Sequence, residues 1–191
     1  RPRDPECSAA MNASIEEQRN SLASEYEITT PAGTMRAHRK FFSLRDRLVV
    51  QSEGGEPQAQ IEGKFSPVRS RHEFRFTDRR EYTFECRKVW KRVFSCAGNG
   101  QSYVLYEHHG LRFSIFENEQ QIAAFLKNRV VWGNGNRYDI RMNSDADLLL
   151  VVCMVLTINS IEQYSGQSGA TVDLGNLGPE GRPYDETWVP K

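Results

Sequence analysis

The stretch 144–162, SDADLLLVVCMVLTINSIE, decides how the rest of this chain is read. At its centre is an unbroken run of nine apolar residues, Leu148 to Leu156. A helix-start signal precedes the run: Ser144 is a capping residue and Asp147 stands three positions later. Asp145 and Asp147 also place negative charge in the first turn, where the helix dipole favours it. No polar stripe breaks the run, so a helix here is apolar on every side and has to be enclosed. A bilayer is one enclosure, but a span takes about 20 predominantly apolar residues. Two aspartates precede this shorter run, and Thr157, Asn159, Ser160 and Glu162 follow it, which argues for a core helix and no transmembrane span.

The segments before the helix must then supply its surroundings, and from Tyr26 onward they read as strands. Ile61 and Phe65 fall on one face of a strand whose other face carries Gln60, Glu62 and Lys64. The same alternation recurs over 72–76 and 82–90, and short apolar segments cover 103–107, 111–116, 130–132 and 138–142. Residues 122–126, in QQIAAFLKN, fit either a strand or a short helical stretch. Turn signals separate these segments: Gly54-Gly55, Gly98-Asn99-Gly100, His108-His109-Gly110 and, strongest of all, Asn134-Gly135, since both residues tolerate positive φ. Counted together with 26–30, 35–41 and 47–51, eleven or twelve short, half-polar strands in such a rhythm predict an all-β-dominated fold. The expected form is an antiparallel barrel of about twelve strands, closed so that no edge is exposed. A barrel of that size has an interior wide enough to need filling. The economical filler is the helix 145–162.

Around that barrel, expected over residues 25–162, lie two polar ends. Residues 1–24 form an arm in which Ser14 and Glu17 make a capping-box pattern for a short helix. Residues 163–191 form a tail with five glycines and three prolines that carries Tyr184, Trp188 and Val189 near its end. Its aromatic residues suit it to dock on its own barrel or on a neighbour.

The stretch from Arg36 to Ile161 resembles the tubby C-terminal-like superfamily, and within it the LURP-one-related proteins of plants and bacteria. The repeated short strands, connections such as 40–44 (KFFSL), and above all 131–140 (VWGNGNRYDI) leading into 147–159 (DLLLVVCMVLTIN) carry the resemblance. It implies a twelve-stranded antiparallel barrel threaded by one hydrophobic C-terminal helix, a fold similar to that of phospholipid scramblases. In the tubby branch, basic side chains on the barrel wall bind phosphoinositides. That analogy implies a class of ligand and assigns no residue here.

Composition narrows the function. The 191 residues carry 25 basic and 25 acidic side chains, which is unlike the basic excess of a nucleic-acid binder. Cys7, Cys86, Cys96 and Cys153 lack metal-ligand spacing, and only Cys86 and Cys96 are placed for a bridge across a hairpin. Asn12 and Ser14 complete a glycosylation sequon, a short pattern with many chance matches. The polar start shows no signal peptide, so the expected setting is cytoplasmic or intracellular, with peripheral contact to a membrane included. No nucleophile elbow, zinc-protease, phosphate-loop or dinucleotide motif appears, so no cofactor or metal is expected.

Two candidate sites remain. Nine Lys or Arg and four acids lie between Arg69 and Arg92, ending in Arg87, Lys88, Trp90, Lys91, Arg92 and Phe94. Cations interleaved with aromatics suit a phosphoinositide or other anionic lipid headgroup, and equally an acidic protein partner. A non-enzymatic binding or scaffold domain using this basic strand face is the first expectation, and self-association through the tail is a further one. The bland alternative is a solvated face. The other site is Glu107, His108 and His109, candidates for acid–base chemistry or a small-molecule pocket at the barrel mouth, should their connection overhang it. Trp90, Phe113 and Trp132 are then candidate lining residues. Against this, two adjacent strand residues point to opposite faces, and the histidines read more simply as exposed turn residues.

Overall fold

The computed structural model describes residues 10–20, 23–39, 47–64, 71–88, 92–129, 135–167 and 181–191. Twelve antiparallel strands pair in simple chain order and the last pairs with the first, closing a barrel. They are β1 (Met11–Asn20), β2 (Ala23–Thr30), β3 (Gly33–Arg39), β4 (Arg47–Ser52), β5 (Pro57–Lys64) and β6 (Arg71–Phe76). There follow β7 (Glu81–Lys88), β8 (Val93–Gly98), β9 (Gln101–His108), β10 (Arg112–Glu117), β11 (Gln120–Arg129) and β12 (Asn136–Met142). The helix α1 (Leu148–Gln167) comes last, and its residues Leu150 to Ser160 are all buried.

Alternation along each strand builds the core. Tyr26 and Ile28, Leu48 and Val50, Phe74 and Phe76, Tyr82 and Phe84, Phe113 and Ile115, and Tyr138 and Ile140 point inward onto α1. Phe74, Phe84 and Phe94 form a stacked run, and Phe113 stacks on Phe125 at 4.4 Å. Cys86, Cys96 and Cys153 are buried, free thiols, so the hairpin pair is not bridged. Burial pushes the Cys153 thiol well above its ordinary range, as an inert core residue requires.

Asp147, rather than Ser144, caps the helix: its Oδ1 accepts the Leu150 amide at 3.0 Å. The Arg80 guanidinium, held also by Asp78, pairs with the other Asp147 oxygen and ties the helix start to the β6–β7 turn. The turn chemistry is partly as read. Asn99 and Gly100 both have positive φ, 49° and 78°, as a two-residue hairpin demands. Gly135 is needed for a different reason: a Cβ there would strike the Glu17 carbonyl of β1. Asn134 and residues 130–132 lie outside the described residues.

Two expectations need correction. The capping-box segment around Ser14 and Glu17 is strand β1, not a helix, so the barrel begins at Met11 and not near residue 25. Ladder bonds to β2 on one side and β12 on the other outweigh a cap worth about 1 kcal/mol. The ambiguous 122–126 belongs to β11. Among the described residues no helix is long and apolar enough to cross a membrane.

Candidate functional site

With the barrel filled, chemistry is confined to its mouths and outer wall. The mouth around the C-terminal half of α1 is lined by polar side chains that replace the apolar inward row. Asn159, fully buried, accepts from Tyr138 Oη at 2.8 Å and from Asn136 Nδ2 at 3.0 Å, and donates to Tyr26 Oη at 2.9 Å. Glu17 takes the Asn136 amide at 3.1 Å and the Gln163 side chain at 2.5 Å. Burial, with the Glu17 charge adding to it, raises the Tyr26 phenol above its ordinary value. On the other side Lys127 pairs with Glu162, and Arg92 joins Glu162, at 3.0 Å, to Glu107. The last turn of α1 contains no basic residue, so Arg39, Arg92 and Lys127 from the wall supply the positive charge that a helix C-terminus favours.

This geometry separates the predicted site residues. Glu107 points inward to Arg92. His108 points outward and is buried, its Nε2 2.6 Å from Ser114 Oγ and its ring 5.1 Å from Tyr184. His109 is exposed in the turn. The three face different surroundings and do not converge on one pocket, and His108 is no exposed turn residue. Phe113 is sealed in the core, and Trp90 and Trp132 lie outside the described residues.

The basic face also changes character. The outward residues of β5–β7 alternate in sign: Lys64 pairs with Glu73, Arg75 with Glu62 at 3.2 Å and Glu73 at 3.0 Å, and Arg71 with Glu85 at 3.6 Å. The excess counted along the chain is therefore largely cancelled on this wall. Arg92 is occupied by Glu107 and Glu162. Arg87 is exposed with no ion pair among the described residues, Lys88 ends β7, and Lys91 lies outside the described residues.

Of the two placements expected for the tail, its own barrel or a neighbour, its end takes the first. Residues 181–191 lie as a strap across the outer face of β8–β12. Gly181 packs on Val93 and Tyr106, Arg182 sits 4.0 Å over the Phe116 ring, and Arg112 bonds Glu186 at 2.7 Å. Lys191 closes the strap, its amide 2.9 Å from Asn143 Oδ1 and its carbonyl 2.8 Å from the Ser144 amide. The tail docks on its own barrel. The outward apolar residues Val93, Phe116 and Ala124 were the available signal, since strands facing water rarely carry them.

A closed twelve-stranded antiparallel meander threaded by one apolar helix defines a tubby-like barrel. The chain belongs to the LURP-one-related family, whose model matches residues 11–159, from the first residue of β1 to the buried Asn159. The strap lies beyond that match. No curated protein and no solved structure matches the chain.

Proposed function

We propose that this barrel is a non-enzymatic binding domain that takes an anionic phospholipid headgroup, phosphoinositide included, at the end of β7 and in the connection to β8. The observation behind this reading is the pattern of ion pairs. The wall cations Lys64, Arg71 and Arg75 are compensated by neighbouring acids, whereas Arg87 has no ion pair among the described residues, and Lys88, Trp90 and Lys91 follow it in the sequence. The proposed contact is thus shorter than the whole basic stretch and excludes Arg92, which is committed to the mouth. Each cation near an anionic surface contributes about 1 kcal/mol, and tryptophan favours the interface. Contact of this kind is peripheral and needs no spanning segment.

Sedimentation with phosphoinositide-containing vesicles tests the reading. Wild-type protein is expected to bind at low salt and to release as salt rises. Arg87→Glu, Lys88→Glu and Lys91→Glu together remove roughly 3 kcal/mol, a loss of about 100-fold. Equal binding by that triple variant, or none by the wild type at low salt, defeats the proposal.

A further inference from the structure

We propose that the groove between the strap and the outer face of β10–β12 is a binding site for a small amphiphilic carboxylate, an aliphatic or arylalkyl monocarboxylic acid. The groove has a volume of about 340 Å³, within the range of small-molecule sites. Its floor is Ala124 and Leu126 of β11. The ladder register sets Arg141 opposite Ala124, Asp139 opposite Leu126, and Arg112 across Leu126 on the other side. Tyr184 and Glu186 of the strap complete the wall.

The charges in this groove are unequally compensated. Asp139 uses both oxygens, one on Asn128 Nδ2 at 2.6 Å and one on Arg137 Nε at 3.0 Å. Glu186 is bonded to Arg112, whose guanidinium also lies 5.2 Å from the Tyr184 ring centre. Arg141 has no ion pair or hydrogen bond among the described residues, so it is the one uncompensated charge on the lining. Beside it stands Leu126, 39% exposed, one of two large hydrophobic residues left exposed among the described residues. An apolar strip ending at a free guanidinium fits a ligand with an apolar body and one carboxylate, which a planar fork binds through two parallel hydrogen bonds. Cations and neutral alcohols of the same shape leave Arg141 unanswered. Tyr184 and Glu186 lie beyond the residues that the family model matches.

The test is an amide-resolved NMR titration of the full chain with 3-phenylpropionate, against 3-phenylpropylamine and 3-phenylpropanol as probes of matched shape. The expected result is saturable shifts at Leu126, Arg141 and Tyr184 with the acid, and at least tenfold weaker binding of the amine and the alcohol. Arg141→Gln and, separately, Leu126→Asn are each expected to weaken the acid at least tenfold while leaving thermal unfolding and vesicle binding as in the wild type. No saturable shift at those amides up to 10 mM acid (roughly the weakest binding worth calling a site) overturns the proposal. So does binding that survives Arg141→Gln, or an amine that binds as well as the acid.

Discussion

Acidification acts on the barrel through His72. This inward-facing residue near the start of β6 is 6% exposed, and its Nδ1 has no hydrogen-bond partner among the described residues. Its ladder neighbours are Gly63 on β5 and Phe84 on β7, neither of which can stabilise an imidazolium by charge. Burial alone lowers its pKa from the ordinary 6.5 to about 4. The unfolded chain therefore takes up a proton that the folded chain refuses. The depressed value makes stability greatest above pH 6.5 and erodes it as pH falls toward 4, with little further loss below. A shift of about 2.5 units is worth roughly 3 kcal/mol, a large share of the 5–15 kcal/mol that holds an ordinary domain. Urea denaturation followed by circular dichroism at pH 7.5 and pH 4 measures the loss. His72→Gln, whose side chain does not titrate, isolates the histidine's part, so the wild type should lose about 3 kcal/mol more than the variant between the two pH values. Equal losses in the two proteins would refute the reasoning, because His72 would then be hydrated or paired in the folded state.

Other perturbations probe the mouth and the strap. Asn159→Ala removes the buried partner that Tyr26 and Tyr138 share and should cost about 3 kcal/mol, with Tyr26→Phe costing nearer 1, both read by urea denaturation. Arg92→Glu places a third carboxylate against Glu107 and Glu162 and should cost about 2–3 kcal/mol, less than a fully buried case because Arg92 is partly exposed. Arg87→Glu, on the open wall, should stay within about 0.5 kcal/mol. Deleting residues 181–191 uncovers Val93, Phe116 and His108. Light scattering should then show association at micromolar concentration, and a stable monomer would mean that the strap does not protect that face.

The barrel was legible because most of its strands obey the two-residue period and because α1 has no polar face. The failures share a physical cause. In β1, the inward row Ala13, Ile15, Glu17 ends in a carboxylate that the mouth network requires, so its alternation fades and a helix cap fits the letters as well. In β11, Lys127 points inward to Glu162 while Ala124 and Leu126 face outward beside the strap, which inverts the usual pattern and imitates a helix. His108 was taken for an exposed turn residue for a related reason: its ring faces a partner far along the chain, Tyr184. The overcounted basic patch illustrates the same limit, since Glu62 cancels Arg75 across two strands and no local count reveals it.

The seam where β12 meets β1 sets the order in which the molecule can be assembled. Every other strand pairs with a neighbour in the chain, but Met11 waits for Met142, and closing so long a loop is slow. The helix that arrives after β12 bonds both sides of that seam, Asn159 to Asn136 of β12 and Gln163 to Glu17 of β1. During synthesis the open sheet must therefore exist before anything can fill it, with its inward phenylalanines exposed. The filler is also the latch. A ribosome stalled before residue 148 holds an unclosed sheet, so exposure to chaperones should persist until α1 has emerged and fall sharply once it has.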